Sequence, residues 1–297
     1  MYEFGNILVA GGKNGFIGSN VVDYLRKKRY RNVYPATSTR YNLLNRECTE
    51  KLFKDIKPNV VINCAGHAGG VDQHTQASLN MFWENMLIAG NLIEQSQSNN
   101  VDKFIQLGTS ASYPDSAPQP LYETSLYSGE ITGNMAPYGS SRLAILDMLK
   151  SSNLNWVYLI PSNVIGLRNR SGVVVSIINK IKKIASTYAL PPLEVWGDGT
   201  AIRDFVDVED LCRAIHLSLE SKEDLKLPIN IGSGQGINIK DLVKLICLKM
   251  KYTGSINFDA TKPNGKPKYV LDINRAVTLL DWEPSIDLEE SLNEILK

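Results

Sequence analysis

The stretch Met135–Ala144, MAPYGSSRLA, sets Tyr138 four residues ahead of Arg142. Positions i and i+4 share one helix face, so this spacing can hold a phenol beside a fixed cation. A free tyrosine titrates near pH 10, and a neighbouring positive charge favours the ionised form. That is the arrangement a group needs if it is to exchange a proton with an alcohol or ketone oxygen. Arginine cannot give up its own proton, but its planar fork can bridge the phenol and a hydroxyl-bearing ligand together. Upstream, FIQLGTSASYP ends an apolar run with Thr109, Ser110 and Ser112, where a hydroxyl could hold the same oxygen. Taken alone, such residues serve equally as a turn or a helix cap.

A second chemistry-bearing stretch lies near the N-terminus. NILVAGGKNGFIGSNVVDYL places Gly12, Gly15 and Gly18 between an apolar strand pattern and a helical one. Glycines there permit a tight turn, close approach of a diphosphate to backbone N–H groups, and close packing of strand on helix. The spacing is G-x-x-G-x-x-G, distinct from the commoner G-x-G-x-x-G. The end of the second strand should then read the adenosine ribose, an acid favouring the free 2′-hydroxyl and a base the 2′-phosphate. Here YPATSTRYNLLN offers no acid and carries Arg40, while Lys13 adds a cation inside the glycine loop. NADP(H) is therefore favoured, with NAD(H) possible; the alternative is that both cations are solvated surface charges.

These residues must be positioned by regular elements. Asn6–Ala10, Val33–Ala36, Val60–Cys64, Phe104–Leu107 and Trp156–Ile160 read as buried strands. Ile17–Lys28, Cys48–Ile56, Leu79–Ser98 and Tyr138–Ser151 read as the amphipathic helices between them. The alternation predicts an α/β fold, a doubly wound parallel-sheet Rossmann domain with a smaller interleaved C-terminal α/β substrate domain. After Gly166 come a cationic helix (SIINKIKKIA), a Pro-Pro turn and a strand at Leu193–Trp196. Residues 205–220 and 228–232 read as a helix and a strand that rejoin the first sheet. From Ile237 onward a helix, a strand at Ser255–Phe258, a loop and one final helix are expected. The division predicted is 1–167 with 204–233 for the dinucleotide, and 168–203 with 234–297 for the substrate.

With 297 residues, 43% of them hydrophobic, and a net charge of +1, the chain reads as globular, with no electrostatic case for nucleic acid or membrane partners. No apolar run is long enough for a membrane span, and Met1-Tyr-Glu-Phe begins no signal peptide, so a cytoplasmic protein is expected. Cys48, Cys64, Cys212 and Cys247 fit no zinc or redox spacing and are expected as buried free thiols. His67, His74 and His216 also lack metal-ligand spacing, so no metal is expected.

The glycine loop, Thr109 and Tyr138 together resemble the extended short-chain dehydrogenase/reductases acting on nucleotide sugars, the NAD-dependent epimerase/dehydratase family. The closest form is its GDP-L-fucose synthase branch. The resemblance runs over nearly the whole chain, through AGHAGGVDQHTQ, NMFWENMLIAGNLIE, LGTSASYP, PSNVIG, VWGDGTAIRDFVDVEDL and FDATKPNGKPKYVLD. The last of these is fairly specific to the GDP-sugar branch. The resemblance implies a catalytic Thr109, a general acid/base Tyr138, and Arg142 in the place of the family's lysine. It implies a nucleotide-sugar contact at Asn163, a diphosphate clamp at Arg203, and a nucleotide-loop cation at Lys262. Ser110 and Trp196 join the expected substrate residues, although Trp196 reads equally well as core. Phe16, Ile17, Asn42, Leu43, Ala65, Pro161 and Asn163 join the glycines, Lys13, Arg40 and Arg142 as expected cofactor contacts.

The departures are informative. The fucose synthases place a cysteine two residues after the catalytic hydroxyl and a histidine on a later helix, the acid/base pair for inverting the carbons beside the ketone. The matching positions here are Ala111 and Val173, and neither can move a proton. The resemblance therefore implies hydride transfer at C4 of a GDP-linked hexose, deoxyhexose or heptose without epimerisation. The alternatives are full epimerase/reductase activity with relocated groups, or a non-catalytic sugar-nucleotide binder. It also implies a homodimer joined through the helices near 79–98 and 138–151.

Overall fold

The computed structural model describes residues 4–68, 78–186, 191–262 and 265–297. The strands are β1 (Ile7–Ala10), β2 (Val33–Pro35), β3 (Val60–Asn63), β4 (Lys103–Leu107), β5 (Trp156–Pro161), β6 (Asn163–Ile165), β7 (Leu193–Trp196), β8 (Ile202–Arg203), β9 (Phe205–Asp207), β10 (Pro228–Ile231), β11 (Ile237–Asn238), β12 (Ile256–Asp259) and β13 (Lys268–Tyr269). The helices are α1 (Phe16–Lys27), α2 (Arg46–Ile56), α3 (Ser78–Ser98), α4 (Ala136–Lys150), α5 (Val173–Ala185), α6 (Val208–Glu220), α7 (Ile239–Lys249), α8 (Asn274–Leu280) and α9 (Leu288–Leu296).

Six strands form one parallel sheet in the order β10-β5-β4-β3-β1-β2. Its inner strands are buried on both faces, which explains their unbroken apolar runs. Along β1 the pleat sends Ile7 and Val9 into one core, with Val22 and Leu25 of α1 and Leu211 and Ile215 of α6. Leu8 and Ala10 enter the other core, with Phe53 of α2, Leu92 of α3 and Ile145 of α4. The chain leaves β1 toward β2 on one side and later returns to β3 on the other. This switch opens a crevice at the carboxyl ends of β1 and β3, where such sheets bind ligands.

A third core lies beyond this sheet. Ile177, Ile178 and Ile181 of α5 pack with Leu242 and Ile246 of α7, Leu292 of α9, and the strands β7 and β12. The short sheet β11-β8-β13 and the pair β6-β9 join this region to the first. The chain then returns to the first core through Ala276, Leu280 and Trp282. The Trp282 indole N–H donates to Asp210 O at 3.0 Å.

Three expectations change. Residues 205–220 are not one helix: Phe205–Asp207 is a strand paired with Asn163–Ile165, and the Asp207 carboxylate caps α6 through Glu209 N at 2.7 Å. The final helix is two, because Asp281 adopts the left-handed conformation after α8 and Asp287 starts α9 with a capping box. Cys212 and Cys247 are buried, but Cys48 and Cys64 are only partly so, each lying near an element end rather than at its centre. All four are free thiols. Among the described residues, no helix is long and apolar enough to cross a membrane.

Candidate active site

The glycine loop leaves β1 with Gly11 at a φ of +74°, a conformation that favours glycine. A Cβ on Gly15 would lie 2.6 Å from Gly11 O, and one on Gly18 would lie 2.5 Å from the same oxygen. The loop is therefore folded back on itself more closely than any side chain allows. Gly15 caps α1 without a side-chain bond, so the first-turn N–H groups face the crevice uncapped by side chains. A cradle of backbone donors at a helix N-terminus fits a diphosphate. Phe16 and Ile17 are half-buried in the first turn of α1, and Ala65 touches the loop from β3's end, 3.1 Å from where a Gly11 Cβ would stand.

The ribose-reading end is less simple than expected. Lys13 is exposed with no charged partner among the described residues. Arg40 is exposed too, but it stacks on Tyr41 at 5.0 Å and lies 3.8 Å from Asp55. Asp55 also accepts the Tyr41 hydroxyl at 2.7 Å. The acid absent from the second strand is thus supplied by α2, where local sequence gave no sign of it. Asn42 is exposed and turns back on Leu44 N, while the Leu43 side chain is in the core and offers a ligand only its backbone. Pro161 is buried at the end of β5.

Arg142 does not point outward beside Tyr138. It is buried, with its guanidinium 5.2 Å from the Tyr138 ring centroid. Nη1 donates to Leu107 O at 3.3 Å and Nη2 to Asn85 Oδ1 at 3.1 Å. Nε finds no partner among the described residues. Gly66 makes room for this fork, since a Cβ there would be 2.3 Å from Nη2. Asn85 also takes the His67 N–H at 3.0 Å and donates to His67 O at 2.9 Å, tying α3 to the loop after β3. Leu107 O receives a further bond from Gln106, which is itself bound by Asn63. The Tyr158 hydroxyl supports Arg142 from behind, donating to its backbone oxygen at 2.8 Å. Burial pushes that phenol well above its ordinary range, so it stays a neutral donor. Asn85, Gln106 and Asn63 escaped sequence reasoning; polar residues inside apolar patterns were the available signal.

The hydroxyl-bearing turn is fixed against α4. Ser112 Oγ donates to Gly139 O at 3.0 Å, and a Cβ on Gly139 would meet Ala111 O at 2.3 Å. Thr109 and Ser110 therefore sit, half-buried, beside the turn of helix that carries Tyr138. Thr109 Oγ1 accepts from Ala111 N at 3.3 Å, which leaves its hydrogen available to a ligand. Ala111 lies in this turn, and Val173 begins α5 at the edge of the third core. His67 is paired with Glu84 at 2.7 Å, and His216 lies on α6 against Tyr24 and Tyr30. His74 is outside the described residues. Among the described residues, no group of histidines, cysteines and carboxylates could hold a metal ion.

The remaining predicted residues form a second half. Arg203 Nη1 donates to Ile202 O at 2.8 Å and Lys266 O at 2.7 Å, and its burial disfavours the charge. Gly265 passes over it with φ +68°, so close that a Cβ would stand 2.9 Å from Nη2. Lys262 lies 5.7 Å over the Trp196 ring, and Trp196 is 44% exposed, which decides against a core role. Asn163 donates from its side chain to Asp204 O at 2.8 Å. The buried Asp204 carboxylate accepts Ser233 N and Oγ and Leu271 N. Asp204, beside Arg203 in AIRDF, is thus the anchor of this half and was missed.

The model of the NAD dependent epimerase/dehydratase family matches residues 7–232. A GDP-L-fucose synthase of Sinorhizobium fredii is 32% identical over 96% of this chain and 92% of its own. A GDP-L-colitose synthase of Yersinia pseudotuberculosis is 27% identical over 95% and 94%. Among solved structures, a GDP-mannoheptose C4 reductase from Campylobacter jejuni with NADP bound superposes with a TM-score of 0.90, at 24% identity, covering 100% of this chain and 98% of that one.

The fit of Arg142 to its cavity can be tested without any ligand. Gly66→Ala should destabilise the chain by about 1–3 kcal/mol, the usual cost of overpacking. In an Arg142→Lys background the same change should cost less, because the fork is gone. Equal costs in thermal unfolding would show that the space at Gly66 does not serve the guanidinium.

Proposed function

The chain belongs to the NAD dependent epimerase/dehydratase family, and we propose that it is an NADP(H)-dependent oxidoreductase acting at C4 of a GDP-linked hexose, deoxyhexose or heptose, without epimerisation. The observation that carries this reading is Tyr138 stacked on a buried Arg142 beside the Thr109 turn, with Ala111 and Val173 where proton-moving groups would be required for inversion. The fucose and colitose synthases and the heptose C4 reductase among its relatives support the GDP-sugar class.

The glycine cradle fits the dinucleotide, whose nicotinamide supplies or accepts the hydride when bound. Tyr138 exchanges a proton with the C4 oxygen, and Thr109 holds that oxygen with its free hydrogen. Arg142 holds a fixed positive charge 5.2 Å from the Tyr138 ring and cannot itself pass a proton. Arg203, Lys262, Trp196 and Asn163 hold the GDP portion, arginine suiting the diphosphate through its bidentate fork. In this reading residues 1–167 and 204–233 serve the dinucleotide, and 168–203 and 234–297 the sugar nucleotide. Cytoplasmic location fits the four free thiols and is open to cell fractionation.

The protein should act as a homodimer through α3 and α4. Leu79 and Trp83 are 75% and 59% exposed, and Phe82, Met86 and Leu87 continue the same apolar face half-buried. Light scattering should give twice the 33.0 kDa chain mass. Trp83→Asp should shift it toward the monomer, and a monomeric unmodified protein defeats the dimer.

Incubation with a GDP-4-keto-6-deoxyhexose and NADPH in deuterated water should yield the C4 alcohol with no enzyme-dependent deuterium at C3 or C5. Incorporation there would overturn the claim that epimerisation is absent. Tyr138→Phe should abolish turnover and leave NADPH binding nearly intact. Arg142→Lys should stay active with an altered pH profile, and Arg142→Met should lose most activity; full activity in Arg142→Met makes the arginine a bystander.

Cofactor choice has its own test. Arg40 should contribute on the order of 1 kcal/mol to holding a 2′-phosphate. Arg40→Ala should weaken NADPH roughly fivefold and NADH little. Equal losses for both, or tighter NADH binding by the unmodified protein, would reverse the preference.

A further inference from the structure

Lys266 follows the loop that carries Lys262, yet its side chain reaches across to the other half of the molecule. Nζ donates to Tyr113 O at 3.0 Å and pairs with the Asp115 carboxylate. It also lies 5.0 Å over the Tyr269 ring. Its backbone oxygen accepts the Arg203 guanidinium at 2.7 Å. One residue therefore touches both the arginine expected at the substrate diphosphate and the segment that leaves the Thr109–Ser112 turn.

The far end of this connection is rigid. Tyr113 is fully buried, and its hydroxyl donates to Asn230 Oδ1 of β10 at 2.6 Å. Burial works to raise the Asp115 carboxyl, but bonds from Lys266 and Thr132 outweigh it and hold the group below its ordinary value. Exposed ion pairs contribute little. The Lys266 side chain is only 20% exposed, however, and it has a carbonyl, a carboxylate and a ring around it. The neighbouring chain is held independently of it. Gln119 bonds Lys268 O and Val270 N, and Leu121 N donates to Val270 O at 2.7 Å. Removing the ammonium should thus leave the fold intact and free one end of the loop.

We infer that Lys266 is a positioning residue for the substrate diphosphate, stapling the loop beside Arg203 to the wall next to the hydroxyl-bearing turn. The inference rests on the GDP-sugar reading above for its ligand, but the staple itself does not. When the loop is pinned, the Arg203 fork is presented at a fixed distance from Thr109 and Tyr138. A diphosphate held by Arg203 then delivers the sugar to those hydroxyls in one register.

The test uses the intact protein with Lys266→Met, Lys266→Arg and Asp115→Asn. Calorimetry with GDP alone should show roughly tenfold weaker binding for Lys266→Met, a smaller loss for Asp115→Asn, and partial recovery for Lys266→Arg. NADPH affinity should be unchanged, and with a GDP-4-keto sugar KM should rise more than kcat falls. Amide exchange in Lys266→Met should quicken at residues 265–268 and at Ile202, whose N–H donates to Pro267 O, and not at 269–272, which Gln119 and Leu121 hold, or in the central sheet. GDP affinity within twofold of the unmodified protein overturns the inference. Should the unmodified protein bind no GDP, the substrate reading fails instead. The staple is then decided by exchange alone, and unchanged protection at 265–268 and Ile202 overturns it.

Discussion

A guanidinium taken out of water brings five N–H donors and a charge that must be compensated, and Arg142 meets this from three parts of the fold. Leu107 at the end of β4 supplies a carbonyl, Asn85 of α3 an amide oxygen, and Gly66 after β3 the space. Both acceptors are neutral. The charge is therefore left unneutralised by the groups that hold it, 5.2 Å from the Tyr138 ring. The parallel sheet matters because it brings the ends of β3 and β4 side by side, and α3 packs alongside α4 to complete the enclosure. Without that register the arginine would be a surface residue and Tyr138 an ordinary helix-start tyrosine.

The two halves of the site are built by different means. The dinucleotide half relies on backbone: a loop too tight for side chains, at a helix end whose N–H groups face the crevice. The sugar-nucleotide half relies on side chains held by buried polar anchors, chiefly Asp204, which ties Ser233 and Leu271 to the strand carrying Arg203. Burial raises the Asp204 carboxyl, and the bonds it accepts oppose that shift. A backbone cradle tolerates change in nearly every side chain except its glycines. The anchored half depends on individual polar residues and is where altered substrate choice has room to arise.

Much of the central sheet was legible because its strands are buried on both faces, and unbroken apolar runs such as VVIN and WVYLI leave little else for them to be. The glycine loop and the Tyr138–Arg142 spacing were legible for the same local reason. What local pattern could not reveal were two-residue strands whose pairing is set by tertiary contacts, such as β8 with β11 and β13. Phe205–Asp207 reads as helix in the sequence because its apolar residues run straight into the helical pattern after it. The Arg142 enclosure was hidden too, since Asn85, Gly66 and Leu107 are far apart in the chain. Likewise Asp55 reaches Arg40 from α2, and local pattern around either residue carries no sign of the contact.

The crowding at Gly66 carries a consequence for replacement. A Cβ at 66 would stand 2.3 Å from Arg142 Nη2 and 2.6 Å from Asn85 Oδ1, so an alanine there displaces the fork, its amide acceptor, or both. A shorter cation at 142 relieves only the first of these contacts. Positions 66, 85 and 142 come from three separate parts of the chain, yet they substitute well only as a set.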